Sequence, residues 1–168
     1  MFQKDHSMKS SLTKKKSMNE VFERYMTVAL EEAQKAFDEE EIPIGAIIVL
    51  NDKIIAQSHN TNRQSNDPTA HAEIKVIQEA AKKIKNERLL NCDLYVTKEP
   101  CAMCSGAIVH SRIKRVIIGT TDQKYGACGT VLSVCGNPIL NHIPEIITGI
   151  LHEESATLLK DFFRKKRK

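Results

Sequence analysis

His71-Ala72-Glu73 and, further along the chain, Pro100-Cys101-Ala102-Met103-Cys104 supply one imidazole, two thiols and one carboxylate. Imidazole and thiolate are good zinc ligands. A structural zinc site closes with four protein ligands, whereas a catalytic one leaves the fourth position to water. Glu73 stands two residues from His71 and could work on that water. Zinc lowers the pKa of bound water from ~16 to roughly 7, which makes a nucleophile available at neutral pH. Replacing an exocyclic amine on an aromatic ring also requires a proton to travel from water to the ring and to the departing ammonia. One carboxylate beside the metal can make both transfers, first as general base and then as general acid. The residue set suits metal-assisted hydrolysis, removal of such an amine included, with His71, Cys101 and Cys104 as metal ligands and Glu73 as proton shuttle.

Each half of the pattern has plainer readings. C-x-x-C alone fits a redox pair or half of a structural zinc knuckle, and H-x-E alone says little. Their combination, with the proline, favours the catalytic site. A fourth protein ligand from Cys92, Cys128, Cys135 or His110 would restore the structural reading. Two thiolates and an imidazole favour zinc, with iron as the alternative.

The elements that must position these groups are legible in the pattern. Asp67-Pro68-Thr69 offers a turn and a helix cap. Ile74, Ile77, Ala81 and Ile84 follow at helical spacing, which puts His71 and Glu73 in a first turn. Cys101 and Cys104 share a face if helical, and Pro100 suits a helix start. Helix N-termini favour thiolates, so two of them converging on one cation is coherent. Upstream, Ser17 to Glu20 reads as a capping box before a helix marked by Phe22, Met26, Ala29, Ala33 and Phe37. Residues 44–50 and 53–58 read as paired strands around Asn51-Asp52. Short strands are expected at 93–97, 115–120 and 146–148. Leu151, Leu158, Leu159, Phe162 and Phe163 predict the apolar face of a terminal helix. Strands alternating with helices predict an α/β domain, one sheet between helices.

At 168 residues the chain suits a single domain. No apolar run approaches the ~20 residues of a membrane span, and no signal-peptide pattern opens the sequence. Five cysteines, an odd number, fit a reducing cytoplasm better than a disulfide framework, with Cys92, Cys128 and Cys135 expected as free thiols. Net charge is +4 overall, but residues 1–17 carry +4 and residues 164–168 carry +5, leaving −5 between. The Lys- and Ser-rich first 17 residues are expected to be disordered, ahead of a domain at 18–168. The basic end beside Phe162 and Phe163 suits a nucleic-acid partner. The plainer alternatives are cations opposing a helix dipole and phenylalanines in the core.

The chain closely resembles the bacterial tRNA-specific adenosine deaminases of the cytidine deaminase superfamily, from about Met18 to the C-terminus. The resemblance rests on the H-x-E and P-C-x-x-C motif of zinc nucleobase deaminases. It extends through residues 42–46, Asn60, residues 67–73, 97–101, 110–113 and 122–127, Asn137-Pro138, Asn141-His142 and residues 161–164. It implies a three-layer α/β/α fold around a five-stranded mixed sheet. It also implies one zinc per subunit, a homodimer, and a tRNA anticodon stem-loop as partner. The reaction implied is adenosine to inosine at the wobble position (34), typically in the arginine tRNA with an ACG anticodon. By position, zinc falls to His71, Cys101 and Cys104, and the shuttle to Glu73. Asn60 and the backbone at Ala72 and Cys101 would meet the flipped base, Asp122 the ribose, and Phe162 and Arg164 the RNA. Ile143-Pro144 departs from the pattern where a basic residue is expected, so a phosphate contact is expected to be missing there.

Two other classes compete. A small-molecule deaminase acting on free guanine, cytosine or a nucleoside would use the same zinc chemistry without the basic tail. A non-catalytic zinc-stabilised RNA-binding subunit would keep the ligands and dispense with Glu73.

Overall fold

The computed structural model describes the backbone of residues 4–167 and the side chains of residues 18–167. In chain order the elements are α1 (Lys4–Asp38), β1 (Gly45–Leu50), β2 (Lys53–His59), α2 (Asn62–Ser65), α3 (Ala72–Ile84), β3 (Asp93–Lys98), α4 (Ala102–His110), β4 (Arg115–Thr120), β5 (Glu145–Thr148) and α5 (His152–Lys166). The sheet order is β2-β1-β3-β4-β5. β1 pairs antiparallel with both β2 and β3, while β3, β4 and β5 run parallel. The fold is therefore the mixed five-stranded α/β/α sandwich expected.

Alternation along the central strands sends side chains to two cores. Ile47 and Val49 of β1, Tyr95 of β3 and Ile117 of β4 meet Phe22, Tyr25, Met26 and Ala29 of α1. Ala46 and Ile48 of β1, Leu94 and Val96 of β3, and Val116 and Ile118 of β4 point the other way, onto Val76 and Ala80 of α3 and Ile108 of α4. α5 lies beside α1, joined by an edge-on contact of Phe162 with Phe37 at 5.8 Å between ring centroids. Gly45 is where β1 passes closest to α1. A Cβ there would stand 2.0 Å from the Ala29 carbonyl oxygen, so no larger residue fits.

Three local expectations change. Helical backbone runs back to Lys4, so Ser17 lies inside α1 and does not cap its start. No glycine or proline interrupts residues 4–38, and nothing in the sequence stops a helix there. Residues 4–17, expected to be disordered, are helical backbone continuous with the rest of α1, and their side chains lie outside the described residues. Leu151 precedes α5 as its N-cap, and Phe163 is exposed, so neither belongs to the apolar face of that helix. The Asn51-Asp52 turn is as expected: both residues have positive φ, 49° and 59°, the two-residue geometry that suits the twist of paired strands.

Candidate active site

The N-termini of α3 and α4 converge. His71 is the N-cap of α3 and Cys101 the N-cap of α4, both with extended backbone and neither using its side chain as a cap. Those side chains are thereby left to face one another. His71 Nδ1 lies 3.7 Å from Cys101 Sγ and 3.4 Å from Cys104 Sγ. The three ligand atoms all fall within 4.8 Å of one another. Tetrahedral zinc, with bonds of ~2.05 Å to nitrogen and ~2.3 Å to sulfur, holds such atoms about 3.6 Å apart. Among the described residues no fourth ligand joins them. Cys128 and Cys135 contact Ser105 and each other instead, Cys92 is buried in the core beneath α3, and His110 ends α4. The set is that of an open, catalytic type of site.

Charge in the cluster fits a dication. The Cys104 thiol, helped by the His71 imidazole and the Cys104 amide, holds the Cys101 thiol down to about 4 against the effect of burial. The Cys104 thiol is pushed up because its proton is the one shared with Cys101, and burial adds to this.

Glu73, in the first turn of α3, is 3% exposed. Burial pushes its carboxyl up, with the neighbouring imidazole and amide opposing only in part. Its Oε2 is buried and accepts no hydrogen bond among the described residues. A buried carboxylate oxygen without a partner is costly and calls for one. A water held by the neighbouring ligand set is a fitting partner.

The cleft over these groups measures about 840 Å³, at the upper end of the size of small-molecule sites. His71, Glu73 and Cys101 line it together with Asn60, Lys98 and Asp122, and Tyr125 and Phe163 stand at its exposed margin. Asn60 is buried, and its Oδ1 accepts the Ala72 N–H at 2.9 Å. That bond fixes the side-chain amide of a residue that lines the cleft. Asp122 pairs with Lys98 Nζ at 2.6 Å and accepts the Lys124 N–H at 2.9 Å. Burial raises the Asp122 carboxyl, but Lys98 and the two amides of residues 124 and 125 more than offset it and hold it below the usual range.

Three expected contacts are not in the cleft. Ala72 is fully buried, and its amide donates to Asn60 Oδ1. Phe162 is 4% exposed and belongs to the contact between α5 and α1; Phe163, 46% exposed, is the aromatic that reaches the cleft. A helix turns 100° per residue, so adjacent phenylalanines cannot share a face, and the core takes the first. Arg164 pairs with Asp161 at 2.9 Å on the outer side of α5. Asn141-His142 is structural: Arg112 donates to the Asn141 carbonyl, and the His142 ring bonds the Ile113 carbonyl at 2.6 Å.

Sequence reasoning gave no role to Glu99 or Glu41. Glu99, 4% exposed, directly precedes Pro100-Cys101 and accepts the amides of Asp122, Cys128 and Thr130 at 3.0, 3.0 and 3.1 Å, plus the Thr130 hydroxyl at 2.5 Å. It thereby ties the long connection after β4 to the segment carrying the ligand thiols. A Cβ on Gly126 would stand 2.4 Å from Glu99 Oε2, so glycine is required at that crossing. Glu41 accepts the amides of Arg63 and Gln64 at 2.7 and 2.8 Å and anchors α2 at the cleft edge. The available signal was a carboxylate set immediately before the Pro-Cys pair.

Residues 20–167 match the family model of the MafB19-like deaminases. A tRNA-specific adenosine deaminase of Agrobacterium fabrum is 46% identical over 143 residues, covering 85% of this chain and 94% of its own. One from Bacillus subtilis is 44% identical over 146 residues, covering 87% and 91%. A structure solved in a study of A-to-I editing by tRNA:A34 deaminases at the wobble position superposes with a TM-score of 0.79 at 44% identity, covering 81% of this chain and 99% of that one. With similarity of this extent, and a His-Cys-Cys ligand set beside a buried glutamate, this chain belongs to the family of the tRNA-specific adenosine deaminases.

Proposed function

We propose that this protein hydrolyses the adenosine at the wobble position (34) of a tRNA anticodon to inosine, with the arginine tRNA bearing ACG as its substrate. Adenosine and water give inosine and ammonia. His71, Cys101 and Cys104 would hold zinc. Bound there, zinc would supply water acidic enough to act as nucleophile at neutral pH. Glu73 carries the protons: its carboxylate takes one from the water, delivers it to N1 of the ring, and then serves the departing amine. Burial raises this carboxyl, which makes it the stronger proton acceptor that the first transfer needs. Asn60 Nδ2 donates to the base. The Asp122–Lys98 pair lines the same cleft, and Asp122 is the group that would meet the ribose.

The single observation that carries the reading is the orphaned Glu73 Oε2 next to the three-ligand cluster, opening into a cleft with exposed aromatics. Tyr125 and Phe163 offer stacking surfaces, and Arg63, Lys98 and Lys124 provide cations along the same cleft. Sequence-specific RNA recognition uses splayed, unpaired bases stacked on aromatic rings, and flipping costs least in a loop already single-stranded. We further propose a homodimer working in the cytoplasm, with residues 18–168 as the catalytic domain.

Inosine formation in an ACG arginine anticodon stem-loop, with free adenosine, cytidine and guanine in parallel, tests the reading. Inosine at position 34 alone supports it. Turnover of a free base or nucleoside with none in RNA keeps the chemistry and overturns the substrate.

A further inference from the structure

Three cysteines lie outside the ligand cluster. Cys92 is fully buried, and burial pushes its thiol up to about 11, so it is unreactive. Cys128 and Cys135 act on each other: contact with Cys135 pushes the Cys128 thiol up, and contact with Cys128 holds the Cys135 thiol down. They are seven positions apart, and their sulfurs stand 3.3 Å from one another. The backbone builds this approach. Cys128 bridges to Ser133, and the amides of Val134 and Cys135 both bond the Ala127 carbonyl, at 2.9 and 3.4 Å. The loop is thus folded back on itself with the thiols face to face. A disulfide needs ~2.04 Å between sulfurs, so roughly 1.3 Å of further approach suffices. Cys135 is buried, whereas Cys128 is half-buried.

We infer that Cys128 and Cys135 form a redox modification site, a dithiol that a hydroperoxide converts reversibly to a disulfide in the loop beside the cleft. In the first step a sulfur of the pair, as thiolate, attacks the peroxide oxygen. The O–O bond breaks, leaving a sulfenic acid and, from hydrogen peroxide, water. In the second step the other sulfur attacks the sulfenic sulfur, the S–S bond forms, and hydroxide leaves and takes a proton as water. Two thiols are oxidised by two electrons and one peroxide is reduced. Small thiols reverse the reaction by exchange.

The place gives the site its consequence. Cys128 donates its amide to Glu99, the residue that holds this connection to the segment bearing Cys101. Its sulfur lies 3.5 Å from the hydroxyl of Ser105, the neighbour of Cys104 in α4. The link would therefore brace a loop attached at two points to the ligand segment. The inference does not depend on which base the cleft accepts.

The test treats the zinc-loaded full-length protein with graded hydrogen peroxide. It then counts thiols in denaturant, maps peptides and measures zinc. Expected are a loss of two of the five thiols, a peptide pair joined through Cys128 and Cys135, undiminished zinc, and full reversal by dithiothreitol. Cys135→Ser should keep basal deamination and form no link. Oxidation confined to Cys101 and Cys104 with release of zinc would overturn the inference. So would sulfinic acid at Cys128 without any link to Cys135.

Discussion

Replacing Glu99 tests whether one buried carboxylate holds the cleft margin in place. In Glu99→Gln one oxygen becomes an NH2 group. Oε1 accepts the amides of Cys128 and Thr130, and Oε2 accepts the amide of Asp122 and the Thr130 hydroxyl. Whichever way the new amide sits, at least one backbone N–H then faces another donor. An unsatisfied buried donor costs about 1–3 kcal/mol, and the remaining bonds lose the strength that a charged acceptor gives. A destabilisation of about 2–3 kcal/mol is expected, or a fall in Tm of roughly 4–12 °C for a domain of this size. Urea or thermal unfolding of the zinc-loaded protein measures it. Because Asp122 is among the anchored residues, KM for a stem-loop should rise while zinc content stays the same. Stability within about 0.5 kcal/mol of the parent, the range of an ordinary surface change, would refute the assignment.

The two phenylalanines of α5 should separate cleanly. Phe162→Ala should cost about 3–5 kcal/mol in unfolding experiments, as for a buried aromatic; Phe163→Ala should leave stability nearly unchanged and raise KM for the stem-loop by fivefold or more, since stacking on a base contributes about 1–3 kcal/mol. Removing zinc with a chelator, or replacing Cys104 with alanine, should abolish activity and lower the thermal midpoint; metal analysis alongside calorimetry checks it. Glu32 gives a pH prediction. Burial alone would raise its carboxyl, but hydrogen bonds from Lys35 and His59 prevail and hold it below its ordinary 4.5. A carboxyl lowered on folding adds stability above its unfolded value and loses it as pH falls through the folded one. Urea midpoints measured downward from about pH 6 should therefore fall more steeply below about pH 4.5 in the parent than in Glu32→Gln. Equal slopes would remove Glu32 from the acid sensitivity of the fold.

The His71-Cys101-Cys104 cluster and the neighbouring Glu73 were readable because metal-site chemistry fixes residue type and spacing, and a helix start can be recognised from Pro100 and from the turn at Asp67. The strand positions were readable from β-branched runs, and the Asn51-Asp52 turn from its residues. What could not be read depends on contacts distant in sequence. Glu99 is one more carboxylate until Asp122, Cys128 and Thr130 are seen to donate to it. Phe162 and Phe163 are equivalent in a sequence, and only the position of Phe37 on α1 decides which is core. The bond from the Ala72 amide to Asn60, twelve positions earlier, likewise appears only once the fold brings the two together. The start of α1 was misplaced because a good local cap at Ser17 does not by itself interrupt a helix without breakers.

The central claim is that Glu73 moves the protons of an amine-to-oxygen exchange beside a His-Cys-Cys zinc site. Single-turnover inosine formation by zinc-loaded Glu73→Gln, with RNA binding measured on the same preparation, tests it most directly. A rate reduced about 10²- to 10⁴-fold, with zinc content and RNA affinity kept, is the expected result. A rate equal to that of the parent would contradict it.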